Sequence, residues 1–310
     1  MVARFQGVFT PLVTPLTALE SPDLASIERL VQFQIEGAVD GIWAMGTSAE
    51  FAGFDEDERA RVIDTIVATA GTRIPVIANV SDASTRLAIR HGRRALASGA
   101  VAIAATPPYY YPHTQDELLA HYRAIRDAVD LPLLVYNIPQ TVRLKLELRT
   151  METLVAEGVV QGIKDSQNDL EWLRQLAVLV GRGGWDFSLF AGTRFLIDAA
   201  VLCGATGVVP SLANAFPELC VSAFRAARDG NFAASRDIEE KIIDLEGFVA
   251  LTAGGSRNAA VLGLLKSILS ARGIIDRPDL TSPLRTWAEG EQRQANDAVE
   301  TVSGERFFVR

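Results

Sequence analysis

The sequence predicts an α/β fold, a (β/α)8 TIM barrel with a C-terminal helical appendage. Three observations predict it. Eight short apolar, β-rich runs recur at intervals of roughly 20 to 35 residues. Amphipathic helical stretches fill the gaps between them, and strict alternation of strand and helix means a parallel sheet. Runs such as Leu131–Asn137 and Ala100–Thr106 are apolar at nearly every position, as expected of strands covered on both faces. Eight such units closing on themselves make the barrel. An open doubly wound sheet is the competing arrangement. No glycine fingerprint follows the first run, which lowers its dinucleotide-binding version.

In chain order, the first run is Gly7–Val13. Ser21-Pro22-Asp23 then brings cap and first-turn chemistry to a helix over Leu24–Gly37. After Gly41–Met45, the acids Asp55-Glu56-Asp57-Glu58 suit the positive end of a helix running to Ala70. The remaining runs are Pro75–Val80, Val101–Thr106, Leu133–Asn137, Val160–Lys164, Phe187–Ala191 and Gly207–Ser211. Helices are expected over Asp82–Ser98, Gln115–Val129, Leu146–Glu157, Asn168–Leu179, Arg194–Cys203 and Asn214–Arg228. Gly181-Arg182-Gly183-Gly184 reads as a turn rather than a phosphate cradle, because it precedes a strand instead of opening a helix. Past residue 230 the strands stop. Ala233–Leu251, Asn258–Ala271 and Thr281–Val299 read as helices, with Arg257 before the second of them a surface or interface residue. The expected division is therefore a catalytic barrel over 1–230 and a helical extension over 231–310 packed on it. No Ser/Gly-rich or Pro-rich linker separates the two.

Composition narrows the function. The 310 residues carry 30 basic and 38 acidic side chains, a net charge of −8 with no basic block, which argues against nucleic acid or an anionic membrane as partner. No apolar run is long enough to span a bilayer, and no charged-then-apolar leader opens the chain. Cys203 and Cys220 cannot make a disulfide framework, so a reducing, cytoplasmic setting is expected; both fall in helical stretches and read as small hydrophobes. Three scattered histidines (His91, His113, His121) rule out most histidine-based metal sites.

Only four of the 30 basic residues are lysines (Lys145, Lys164, Lys241, Lys266), leaving 26 arginines. Lysine forms Schiff bases and arginine does not, so each lysine merits inspection. In a barrel of this kind reactive side chains sit at the C-terminal strand ends. Lys164 lies at such an end, where desolvation lowers the ammonium pKa and frees a nucleophile for carbonyls; the competing role is a lysine snorkelling to the rim. Lys145, Lys241 and Lys266 fall in a loop or on helices, where a solvated role is the default. Tyr136, at the neighbouring strand end, can pass protons to an amine adduct or simply fill the barrel mouth. Thr47 and Ser48 can hold a carboxylate with hydroxyls and backbone N–H groups, or serve as caps. The tyrosines at 109–111 can be core, subunit contact or proton relay.

Together these residues resemble the dihydrodipicolinate synthase / N-acetylneuraminate lyase family of Schiff-base aldolases. The motifs run in the family's order over nearly the whole chain: GTSAE at 46–50, TPPYYYP at 106–112, YNIP at 136–139 and GIKDS at 162–166. The 28-residue step from Tyr136 to Lys164 is similar to the family spacing. The resemblance implies that Lys164 attacks the ketone of pyruvate or another 2-oxo acid, and that Tyr136 is the general acid/base. It implies that Thr47 and Ser48 bind the carboxylate and that Gly192 and Ser211 line the substrate site. Tyr109 resembles the tyrosine that members lend across a dimer interface, with Tyr110 as the alternative. The resemblance further implies no metal or organic cofactor and a homotetramer built as a dimer of dimers.

Departures from the family pattern bear on the substrate. Members that make dihydrodipicolinate carry an arginine two residues after the YNxP proline, where this chain has Thr141. Phe51 after Glu50, and Asp165 after Lys164, resemble members acting on 2-keto-3-deoxy sugar acids and 4-hydroxy-2-oxoglutarate. Ala49 replaces a usual glycine, and Val142-Arg143 replaces a Thr/Ser-Gly pair. Arg143 thereby becomes a candidate carboxylate contact or a solvent-facing residue. The expected activity is aldol cleavage or condensation of a linear 2-oxo acid, with pyruvate as the imine-bound half. The alternatives are dehydration of a keto-deoxy sugar acid such as 5-dehydro-4-deoxyglucarate, 4-hydroxy-tetrahydrodipicolinate synthesis, and a barrel that only binds a 2-oxo acid.

Overall fold

A computed structural model describes residues 5–303, so positions 1–4 of the expected barrel segment and 304–310 of the extension lie outside the described residues. Eight parallel strands close in sequence order: β1 Gly7–Pro11, β2 Gly41–Ala44, β3 Val76–Asn79, β4 Ala102–Ala105, β5 Leu133–Asn137, β6 Gly162–Asp165, β7 Ser188–Ala191 and β8 Gly207–Val208. All eight predicted runs are strands: Leu133–Asn137 keeps its bounds, Val160–Lys164 shifts to Gly162–Asp165, and the other six lose one to three residues at their ends. The shortest, β8, still closes the ring by pairing Gly207 with Gly7 and Val208 with Val8.

The helices are α1 Leu24–Glu36, α2 Glu56–Ala70, α3 Thr85–Ser98, α4 Gln115–Ala128, α5 Pro139–Val142, α6 Leu148–Ala156, α7 Leu170–Gly183, α8 Ile197–Leu202, α9 Pro217–Arg228, α10 Phe232–Gly247, α11 Arg257–Ala271 and α12 Glu289–Ser303. Their starts follow local chemistry. Asp23 caps α1 through the Ser26 N–H, and Asp55 with Glu58 makes a reciprocal capping box at α2.

The barrel interior is a closed packing of side chains, not a pore. Phe9, Trp43, Ile77, Leu134, Tyr136 and Phe190 meet inside it. Phe9 and Phe190 pack edge to face at 4.9 Å, and Trp43 meets Tyr136 at 5.8 Å. A second, larger apolar layer lies between the strands and the helices. Among the described residues no helix is long and apolar enough to cross a membrane.

Several helix boundaries differ from expectation, each for a local reason. The helix expected over Asn168–Leu179 runs as α7 to Gly183, because Trp172, Leu173, Leu176 and Val180 extend its buried face. Gly184, at φ +65, then closes it in a conformation costly for other residues, so 181–183 are helix rather than turn. The helix expected from Thr281 begins only at Glu289. Thr281 donates from both its N–H and its hydroxyl to Glu50, Ser282 is tied to Glu20, and Pro283 has no N–H to give a helix. The stretch from 194 to 196 is loop, and α8 starts at Ile197. Ser211 lies past β8 in a 3-10 turn over Ser211–Asn214, which also delays α9 to Pro217. The short helix α5 was not expected.

Candidate active site

Alternation along β5 and β6 puts Tyr136 and Lys164 on the same inner face, and the strand register pairs them directly. Lys164 is only 4% exposed. Its ammonium nitrogen lies 4.3 Å from the centre of the Tyr136 ring and 5.0 Å from that of Trp43. No carboxylate pairs with it among the described residues, so desolvation acts unopposed and pulls the Lys164 ammonium down to about 7. A lysine at the rim would keep its ordinary value. This one is poised to be a free amine at neutral pH.

Tyr136 is likewise buried. Its Oη lies 3.0 Å from Thr47 Oγ1. Burial raises its pKa, with the Thr47 and Ser166 hydroxyls acting the other way, so the phenol is protonated at neutral pH and can serve as an acid. The two strands are braced on their outer face, where Asn137 Nδ2 donates to Asp165 Oδ1 at 2.7 Å. Burial pushes the Asp165 carboxyl up to about 7.

Thr47 and Ser48 open a 3-10 turn over Thr47–Ala49 immediately after β2, and neither hydroxyl caps it. They join Tyr136, Lys164, Ser166, Gly192 and Ser211 around one cavity of about 380 Å³. Gly192 is required there. A Cβ at that position would strike Ser166 Oγ and lie 3.2 Å from Lys164 Cε. Ser211 turns a buried hydroxyl without a hydrogen-bond partner toward this space.

Two predicted site residues lie elsewhere. Tyr109 and Arg143 line an adjoining, larger groove of about 770 Å³ that shares only Thr47 and Ile138 with the lysine cavity. Tyr109 packs edge to face on Phe51 at 6.3 Å. Arg143, at φ +57, closes α5. Tyr110 is 85% exposed.

Sequence reasoning also missed residues. Trp43 floors the site, and nothing in its run marked it apart from other core aromatics. Gln140 lies in the Gln140–Arg143 loop that the sequence marks for substrate specificity, so only its contact is new, a donated bond to the Ser166 carbonyl at 2.7 Å that fixes the strand-six loop. Arg257, expected at the surface, is exposed but stands at the cavity mouth beside Arg194. Lys266, expected in solvent, is fully buried and donates to Glu50 at 2.6 Å.

A barrel with a desolvated lysine and a phenol at adjacent strand ends is built for carbonyl chemistry at an amine. The signature of the Dihydrodipicolinate synthetase family matches residues 4–302, and the chain belongs to that family, among aldolase-type lyases. It is 36% identical over 237 residues to the 4-hydroxy-tetrahydrodipicolinate synthase of Methylococcus capsulatus, covering 76% of this chain and 80% of that protein. It is 32% identical over 279 residues to a DapA-like lyase of Halobacterium salinarum, covering 90% and 88%. The dihydrodipicolinate synthase structure from Bacteroides thetaiotaomicron superposes with a TM-score of 0.90 at 28% identity, covering 97% of this chain and 100% of that one. YagE of E. coli K12 superposes at 0.89 with 22% identity over 96% and 99% of the two chains, a likeness of fold alone.

Proposed function

We propose that the protein is a Schiff-base lyase acting on a linear 2-oxo acid such as a 2-keto-3-deoxy sugar acid, with pyruvate as the imine-bound half. The observation that carries this is the Lys164 amine, buried without a counter-charge and stacked on Tyr136. The neutral amine adds to the C2 ketone, and water leaves with a proton from Tyr136. The protonated imine then accepts the electron pair released when the C3–C4 bond breaks, while Tyr136 takes the proton of the C4 hydroxyl. Thr47 and Ser48 hold the C1 carboxylate, and Ser211 and Gly192 shape the wall beside it. The lysine imine supplies the electron sink, so the chemistry calls for no metal or organic cofactor. Thr141, where synthases carry arginine, argues for a sugar-acid substrate over aspartate semialdehyde. Dehydration from the same imine is the second reading, and product analysis separates them: pyruvate plus an aldehyde means cleavage, and an uncleaved dioxo acid means dehydration. Borohydride with pyruvate should add a pyruvyl mass to Lys164.

The pH profile follows from the lysine. Its reactive form is the neutral amine, which predominates above about 7. kcat/KM should therefore rise about tenfold per pH unit below that value and level off above it. A profile flat from mildly acidic to mildly alkaline pH would count against the amine.

Tyr136→Phe should cost about 10²- to 10⁴-fold in kcat while sparing the fold. We extend the proposal to Tyr109 as a relay residue completed by a partner copy in a homotetramer. Tyr109→Phe should lower kcat by a smaller factor without changing the sedimentation coefficient. Full activity in Tyr109→Phe would remove it from the relay.

A further inference from the structure

The cavity above Lys164 has a basic lining. Lys164, Arg194 and Arg257 line it, and among the described residues no aspartate or glutamate does. The chain as a whole carries a net charge of −8, so this concentration of positive charge is local. The chemistry above uses Lys164 and seats the first carboxylate on the Thr47 and Ser48 hydroxyls. Both arginines are left without a task.

They are not loose surface residues. Arg194 follows β7 two residues after Gly192, and extended chain covers at most ~7 Å in two residues, so it starts close to the imine position. Its guanidinium lies 5.2 Å from the Phe195 ring and pairs with Glu246, whose side chain is 6% exposed. That pairing holds Arg194 in place and neutralises one of the two positive charges. Arg257 opens α11 at the mouth, near enough to influence both Arg194 and Glu246. One positive charge therefore remains uncompensated at the outer end of the cavity. A fork of guanidinium N–H groups suits a carboxylate or a phosphate.

We propose that Arg194 and Arg257 form a second anion subsite, selecting a 2-oxo acid that carries a carboxylate or phosphate at the end remote from its ketone. This rests on the imine reading, which fixes the ketone end at Lys164.

The test compares three six-carbon 2-oxo acids ending in carboxylate, phosphate ester or plain hydroxymethyl. Binding is measured by calorimetry on the wild-type protein and on Arg257→Gln and Arg194→Gln. An anionic terminus should tighten binding by about tenfold or more over hydroxymethyl. Arg257→Gln should erase most of that preference and leave hydroxymethyl binding within about twofold. The better of the two anions identifies the natural terminus. Equal binding of all three compounds, or a preference that survives both substitutions, overturns the subsite. Because Arg194→Gln also disturbs Glu246, the exposed Arg257 variant decides if the other unfolds. Pyruvate and borohydride are applied to the same proteins. Failure of Lys164 to trap pyruvate, with the anion preference intact, would overturn the imine and leave the subsite standing.

Discussion

Lys164→Ala should lose turnover by roughly 10³-fold or more, with no mass added by pyruvate and borohydride. The expectation is this large because the proposed imine makes the amine a covalent participant, and no other lysine lines the cavity. The same burial that activates Lys164 also costs stability, so Lys164→Met should unfold at a higher temperature than the wild type. The pH dependence of that gain has a definite sign. The Lys164 pKa is about 7 in the folded chain and near 10.5 in the unfolded one. Below about 7 both states hold the proton, and the folded state bears the full penalty of a buried cation. From there to 10.5 the unfolded chain binds more protons, so wild-type stability rises with pH and the advantage of methionine shrinks. An inactive Lys164→Met variant with unchanged or lower Tm across that range would show that the lysine is solvated. Turnover near the wild-type level in Lys164→Ala would remove the imine from the mechanism.

The barrel and its two central side chains were legible in the sequence because both rest on local periodicity. A strand end following an apolar run fixes where Lys164 and Tyr136 stand, and motif order with spacing fixes that they are neighbours. What was not legible depends on chain segments that meet from far apart. Arg257 read as a surface residue because nothing in its neighbourhood says that α11 starts over the barrel mouth. Tyr109 and Arg143 line the next groove rather than the lysine cavity, and the groove a loop residue faces is set by packing that its motif does not encode. The late start of α12 has the same origin. Thr281 before Ser282-Pro283 suits a helix start locally, but its bonds to Glu50, 231 residues away, settle its backbone otherwise. Lys266 shows the limit most clearly, since on its helix it is one cation in an apolar run, and its partner lies 216 residues distant.

Lys266→Met should destabilise the fold by about 3–5 kcal/mol, a fall in Tm on the order of 10 °C. The lysine has no exposed surface, and the Glu50 side chain is 1% exposed. Glu50 Oε1 accepts from Lys266, and Oε2 accepts from the Thr281 N–H and hydroxyl at 2.7 and 2.9 Å. Lys266 also donates to the Asp279 carbonyl at 2.8 Å. Removing the cation strands a carboxylate in a place water does not reach. Removing both charges does not, so Lys266→Met combined with Glu50→Gln should recover most of the loss, an interaction far from additive. The pair also has a functional side. Glu50 takes the left-handed φ of +57 that ends the Thr47–Ala49 turn, so it fixes where the Thr47 and Ser48 hydroxyls stand. Well below its Tm, Lys266→Met should therefore raise KM for the proposed 2-oxo acid more than it lowers kcat, because it leaves the Lys164 amine of the proposed imine untouched. A loss under about 1 kcal/mol, or no recovery in the double variant, would mean that the clamp on this loop lies elsewhere.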